Sequence, residues 1–497
     1  MVNADELREI VDVHYEWLLV RETGRSFALI CKEIDFQGNG DGASFRFLDD
    51  DGFHTRQVTA YTLNEGEILI DVAQISGEAT ESMRLVPRTP AADLAAEVEL
   101  ARLEKANEIA QLIADHLPGS KIGRVGLNSE NGRLAQINFD SPDRTPTAAI
   151  ADVTGSLTVE SVFTAAILWL EKLGMRKNRP VLDIWIVSEK RQARNAQKLH
   201  ALLTERWKSK ITVFEIIRKD DPPRLMDLPK RKVRVLWREK ARKLTLPTET
   251  LISKTAAAIL KLAPGRIDTV YSRNGETLRF HGLPFARVRV MANGEKGWFG
   301  VGRERSLLTD GTWDELTALV ALLEENRSHS APNKRHELYR TSPEAWLESI
   351  LRRNISLLDA NLILSPIYNQ FRSSNDKIDL LALRRDGRLV IIELKTQPDR
   401  EMVFQAADYW RKIELQRRRG ILADANLFDG REILDTPALI YLAAPAWSFH
   451  RDFGFFARTV SPEIEMWRFE LHENWRQEVR VLARHNYADQ AGGLTNL

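Results

Sequence analysis

Cysteine occurs once in this chain of 497 residues, at Cys31. A single thiol excludes an internal disulfide and every cysteine-rich zinc site, and it fits a reducing, cytoplasmic setting. Long hydrophobic runs are missing too. The longest apolar stretches, around Ala438 to Trp447 and Val162 to Leu170, fall well short of the ~18 residues that a membrane span needs. The opening MVNADELREIVDVHYEWLL is acidic and amphipathic, with no basic start, apolar h-region or small-residue cleavage site, so no secretory signal is expected. Neither sign of charge dominates. With 71 Lys and Arg against 70 Asp and Glu the formal net charge is +1, and any nucleic-acid binding must come from local patches. No P-loop, G-x-G-x-x-G or G-x-S-x-G occurs. His336-Glu337 begins no H-E-x-x-H, because Arg340 stands where the second histidine belongs.

What is present reads as an ordinary globular chain, 43% hydrophobic and 28% charged, long enough for three or four domains at roughly 100 to 200 residues each. Residues 1–88 are expected to form an α+β domain, in which SFALICKEIDF and ASFRFLDD flank the turn-rich QGNGDG as a hairpin. Residues 89–223 form an α/β domain, open to a Rossmann-like layout. Thr89 and Pro90 suit the start of a long helix that runs toward Leu117. VLDIWIVS (181–188), an amphipathic helix and ITVFEII (211–217) then give strand, helix, strand, the pattern of a parallel sheet. Such a layout could hold a nucleotide near Ser188, although no glycine fingerprint accompanies it. Asp220-Asp221-Pro222-Pro223 reads as a hinge. Residues 224–330 make a basic α+β domain, SHSAPNK (328–334) is a linker, and 331–497 form the last domain.

Two basic patches stand out. Arg224 to Lys243 carries nine Lys and Arg, among them Lys230, Arg231 and Lys232, with Val233, Val235 and Trp237 interleaved. Arg411, Lys412, Arg417, Arg418 and Arg419 form the second. Both are candidates for nucleic-acid contact, against the commoner fate of a solvated face.

The last domain carries the chemistry. PEAWLESILRRN is a helix with Glu344 and Glu348 on neighbouring positions of one face. LILSPIY (362–368), KIDLLAL and LVIIELK are strands, PDREMVFQAADYWRKI is a helix with Asp399 as its cap, and ALIYLAA and EIEMWRFEL are further strands. The KIDLLAL and LVIIELK strands are apolar on both faces, which calls for helices on both sides of the sheet. Yet Asp379 opens one strand, and Glu393 and Lys395 close the other. Two carboxylates brought together at the end of such a hairpin need a cation, and oxygen ligands with water suit Mg2+ or Mn2+. The connection decides whether they meet. A two-residue turn at Asp386-Gly387 would put Asp379 and Glu393 on opposite faces, whereas a three-residue loop with Gly387 left-handed puts them opposite each other on one face.

These residues resemble the PD-(D/E)XK nuclease superfamily: Asp379, then Glu393-Leu394-Lys395 after an intervening hairpin, after a helix carrying Glu348. Gln405 to Tyr409 looks like the Gln-x-x-x-Tyr element of the RecB-like branch, and IDLLALRRDGRLVIIELK looks like NucS-type endonucleases. The resemblance covers about 331 to 470. It implies a restriction-endonuclease-like α/β/α core with a central mixed sheet, behind α+β and α/β N-terminal domains. It further implies metal ligation by Asp379, Glu393, the carbonyl of Leu394 and Glu348, a water-orienting role for Lys395, and support from Gln405 and Tyr409. Ile378 stands where the motif has proline, and Glu344 competes with Glu348. The function implied is a metal-dependent nuclease of DNA, with nucleic acid as partner, no membrane, and room for a homo-oligomer. Two alternatives stand beside it: a nucleotide-sensing effector whose nuclease is switched on by a small ligand, and a non-catalytic nucleic-acid-binding protein that keeps the fold.

Overall fold

The computed structural model describes residues 2–487 except 23, 40–41, 50–51, 65, 75–79, 89–90, 220–221, 242–251, 273–274, 292–293, 303–304 and 365–378. The chain forms two compact units, residues 1–197 with 209–229, and residues 198–208 with 230–497. Each is built on two sheets.

In the first unit, a seven-stranded antiparallel sheet spans Glu16–Arg21 to Thr80–Pro87. Its alternating apolar residues Trp17, Phe36, Phe45 and Ile70 bury themselves against Leu7 and Val11 of the helix Ala4–Asp12. Asn3 caps that helix, its side chain accepting from the amides of Asp5 and Glu6. The expected hairpin is present, with Asn39 paired to Gly42; residues 40 and 41 between them, like Thr89 and Pro90, lie outside the described residues.

A six-stranded mixed sheet follows, with Pro146–Asp152, Asp183–Glu189 and Ile211–Ile217 parallel at its centre. Arg224–Leu228 is its antiparallel edge strand. The helix Ala91–His116 covers one face, burying Ile109 and Ile113 against Phe139, Val187 and Phe214. The hinge expected at 220–223 has its two aspartates outside the described residues.

The second unit opens with a five-stranded antiparallel sheet, Ile267–Ser272 through Ser306–Leu308, packed against the helices Lys254–Leu260 and Trp313–Asn326. Its turn at His281-Gly282 reaches the helix Pro343–Arg353. Gly282 has φ +80°, and a Cβ there would stand 1.9 Å from the carbonyl oxygen of Ala345, so only glycine allows this approach. Arg327 holds the contact. Fully buried, it donates to the carbonyls of Phe280, His281, Leu338, Thr341 and Ser342 and lies 4.9 Å from the ring of Trp346. Burial, then the charge of Arg476, lowers its pKa to about 9, still high enough to keep the guanidinium charged at neutral pH.

His281, stacked on Trp346 at 5.2 Å, gives this junction a pH dependence. Burial first, then Arg353 and Arg327, lowers its pKa from 6.5 to about 3. Between those values the unfolded chain takes up a proton that the folded ring refuses. The stability tied to His281 is therefore complete above its unfolded pKa and is lost as pH falls, by about 2 kcal/mol at pH 5. Denaturant unfolding at pH 7 and pH 5 should show a smaller loss for His281→Asn, an exchange compatible with its φ of +43°. Equal losses in the two proteins would remove His281 from the account.

The C-terminal sheet has six strands in chain order, Leu362–Leu364, Leu380–Arg384, Leu389–Leu394, Leu439–Pro445, Met466–Leu471 and Val481–Asn486. Leu389–Leu394 runs antiparallel to Leu380–Arg384 and parallel to Leu439–Pro445, so the sheet is mixed. Residues 365–368 of the expected first strand, and Lys377 and Ile378 of the second, lie outside the described residues. On one face Leu380, Ala382, Val390, Ile392 and Leu394 join Trp346, Leu347 and Leu351 of the helix Pro343–Arg353. The helix Met402–Arg418 packs on Leu389–Leu394 and Leu439–Pro445, anchored by Trp410, whose Nε1 donates to the Ala438 carbonyl at 2.9 Å. The molecule is a mixed α/β, multi-domain protein. Among the described residues no helix is long and apolar enough to cross a membrane.

Candidate active site

Leu389–Leu394 is buried at every position, and its register against Leu380–Arg384 is set by the connection between them. Arg384 N donates to Arg388 O at 2.8 Å, Gly387 N donates to Arg384 O at 2.8 Å, and Gly387 has φ +88°. This is the three-residue loop. Leu383 faces Leu389 and Leu380 faces Ile392, so the next pair outward sets Asp379 opposite Glu393, on the same face of the hairpin as Lys395. Asp386 secures the loop by accepting from Arg388 N at 3.1 Å and pairing with Arg384. Gly387→Ala meets both a positive φ and two close neighbours, Leu434 Cγ at 2.9 Å and Glu432 O at 3.1 Å. A loss of about 1–2 kcal/mol in denaturant unfolding is expected; an unchanged midpoint would mean that the loop tolerates a side chain.

The charged end of the hairpin is crowded. Asp379 Oδ2 accepts from the amide of Leu394 at 2.9 Å. Glu393 is 3% exposed, its Oε1 lies 3.3 Å from Lys395 Nζ, and its Oε2 is buried with no hydrogen-bond donor among the described residues. Burial first, then the negative charges of Asp379 and Glu344, pushes the Glu393 carboxyl well above the usual range, against the pull of Lys395. Burial works against the Lys395 ammonium, but Glu393, Asp399 and Glu344 outweigh it and raise its pKa. Lys395 is therefore a firmly held cation that donates hydrogen bonds. Asp399 is its second partner, Oδ2 to Nζ at 3.1 Å. That residue does not cap the following helix from the adjoining position: Glu401 is the cap, and Asp399 Oδ1 accepts from Glu401 N.

Four acids, Asp379, Glu393, Glu344 and Asp399, against one ammonium leave the cluster acid-rich. Among the described residues no three His, Cys, Asp or Glu side chains gather as a metal-binding group. The donors here are two carboxylates and the adjoining backbone, with a carboxylate oxygen that lacks a partner. Such a set fits a hard divalent cation that keeps most of its water.

The chain matches no protein-family model, and no curated protein matches it. Among solved structures, that of EndoMS in apo form is similar to 39% of this chain and 91% of its own, at 11% identity and a TM-score of 0.14. That of an EndoMS–dsDNA2 complex is similar to 39% of this chain and 90% of its own, at 12% identity and a TM-score of 0.15.

The two acids of the Pro343–Arg353 helix part ways. Glu344, in the first turn, acts on both Glu393 and Lys395. Glu348, 3% exposed, lies 3.6 Å from Arg279 and 3.7 Å from Arg352, two arginines that also face Asp268. Its charge is met by Arg279 of the preceding sheet and Arg352 of its own helix. Gln405 and Tyr409 lie one turn apart and half-buried on Met402–Arg418, with Lys412 Nζ 5.6 Å from the Tyr409 ring.

The second basic run meets protein acids. Arg411 and Lys412 both reach Asp408, at 2.7 Å each, and together they lower its pKa against the effect of burial. Arg417 and Arg418 reach the wholly buried Glu414 at 2.8 and 3.2 Å, Arg418 also lies 4.9 Å from the Trp237 ring, and Arg419 donates to the Trp237 carbonyl. These contacts join the helix to the segment around Trp237. In the first run Arg231 lies 3.6 Å from Glu239, while Lys230 and Lys232 stay at the surface; Arg242 and Lys243 lie outside the described residues.

Other cations were passed over in the sequence. Arg287, Arg289 and Arg305 surround Trp298 in a cavity of about 390 Å3 on the five-stranded sheet. Arg-x-Arg in a strand was the available signal, since both side chains then share a face. Trp447, 87% exposed, stands beside Ser448, whose hydroxyl donates to the carbonyl of Thr396.

Proposed function

We propose that the C-terminal part of this chain is a metal-dependent nuclease that hydrolyses phosphodiester bonds of DNA. One observation carries the reading: Asp379 and Glu393 stand next beyond the paired Leu380 and Ile392 at the end of otherwise apolar strands, Asp379 acts on the Glu393 carboxyl, and Glu393 keeps a buried oxygen with no donor among the described residues. A buried carboxylate that shares a single ammonium with its neighbours, and keeps one oxygen without a donor among the described residues, is the kind of group that functional sites collect.

In this reading Asp379, Glu393 and the Leu394 carbonyl hold Mg2+ or Mn2+. When bound, the ion lowers the pKa of water and offsets charge on the phosphate. Asp379 is oriented by the Leu394 amide. Lys395, kept protonated by Glu393 and Asp399, orients the attacking water or steadies a phosphate oxygen by donation, and is too basic to take the proton itself. Glu344 is the helix acid whose charge acts on Glu393 and Lys395; Glu348, paired with Arg279 and Arg352, serves the junction. Gln405 and Tyr409 line the neighbouring helix.

The test is incubation of the full chain with linear and circular, single- and double-stranded DNA and RNA, with Mg2+, Mn2+ or EDTA. Cleavage of DNA that needs the metal and stops with chelator is expected. Metal-independent cleavage, or none in any combination, overturns the reading.

A further inference from the structure

Next to the candidate site lies a cavity of about 430 Å3 lined by Lys334, Arg335, Arg340 and Arg476, with Thr396 and Gln397 continuing its wall from Lys395. Four cations and no acid line it, in a chain whose net charge is +1. Lys334, Arg335 and Arg340 are exposed, and among the described residues none of their side chains meets a carboxylate. Arg476 is held differently. Its guanidinium lies 4.3 Å from the Trp475 ring, 4.7 Å from Tyr339 and 5.1 Å from Trp346. Burial lowers its pKa, and its Nε–H is buried with no acceptor among the described residues. A guanidinium fixed by three rings, with a donor unmatched, is preorganised for an anionic oxygen.

We propose that this cavity binds the phosphodiester backbone of the substrate strand, flanking the bond cut at Asp379 and Glu393. Nucleic acid as the source of the phosphate rests on the nuclease reading above. The aromatic rings of the lining, Tyr339 and Trp475, are already engaged by Arg476, so the groups that face a ligand are cations that recognise phosphate and not bases. Binding here is therefore independent of sequence. The segment containing Lys334, which reads as a plain linker, becomes part of the substrate path.

The experiment is fluorescence-anisotropy titration of two unrelated labelled DNA duplexes with the full chain, without divalent metal, across a range of salt. The variant is Lys334→Ala/Arg335→Ala/Arg340→Ala, which removes only exposed side chains and should melt as wild type does. Each phosphate contact contributes about 0.9 to the slope of log K against log salt, so the slope should fall by about 2–3 and affinity for both duplexes should drop at least about tenfold. An unchanged slope, a loss confined to one duplex, or no duplex binding by wild type overturns the proposal. The two readings fail separately. Wild type that binds with the full slope yet never cleaves removes the nuclease and keeps the cavity; wild type that cleaves while the variant binds unchanged removes the cavity alone.

Discussion

Glu393→Gln is expected to lower metal-dependent cleavage on the order of 10³-fold or more while leaving the protein melting at or above the wild-type temperature. The two halves of this result have one cause. In the metal-free protein Glu393 is buried beside Asp379, with Lys395 the cation that offsets it among the described residues, and its carboxyl is raised well above the usual range. The folded state thus holds a proton more tightly than the unfolded chain does, and stability falls as pH rises above the unfolded value. Glutamine fills the same space without that cost, but it supplies no anionic ligand. Asp379→Asn should lose activity as fully. It keeps an acceptor for the Leu394 amide, so unfolding should not explain the loss. A Glu393→Gln protein that cleaves at near-wild-type rate, or one that loses activity only because it no longer folds, would remove Glu393 from the mechanism.

Arg327→Leu is expected to cost about 3–5 kcal/mol. The side chain would still pack against Trp346, yet the carbonyls of Phe280, His281, Leu338, Thr341 and Ser342 would lose their shared donor in a site closed to water. Arg327→Lys should recover only part of this, because one ammonium cannot span acceptors that a planar fork reaches together. Guanidinium unfolding of the three proteins checks the order wild type, lysine, leucine. A leucine variant within about 1 kcal/mol of wild type would mean that these hydrogen bonds are replaced rather than lost. Since the same arginine joins the five-stranded sheet to the helix that carries Glu344 and Glu348, cleavage should weaken with stability.

The hairpin at the site was legible because its information is local. Alternation fixes the faces, Asp386-Gly387 marks the turn, and the three-residue loop carries the register out to Leu380 opposite Ile392, as found, with Asp379 and Glu393 next in each strand. The strand–helix–strand unit over 183–217 and the helices flanking the last sheet were legible for the same reason. What stayed hidden depends on partners far along the chain. Glu344 and Glu348 are one turn apart on a single helix, and only the arrival of Arg279 from another sheet assigns Glu348 to an ion cluster. The run Arg417 to Arg419 has the composition of a nucleic-acid patch, but composition does not reveal that Glu414 is wholly buried beside it or that the Trp237 carbonyl waits for Arg419. Arg327 carries no sequence mark at all: its acceptors are backbone carbonyls that any residue supplies.

The most direct measurement is calorimetric titration of Mn2+ into the metal-free full-length protein. One saturable site per chain, lost in both Asp379→Asn and Glu393→Gln and retained in Glu348→Gln, is the predicted result. Binding that survives either of the first two substitutions would contradict a joint metal site at the end of this hairpin.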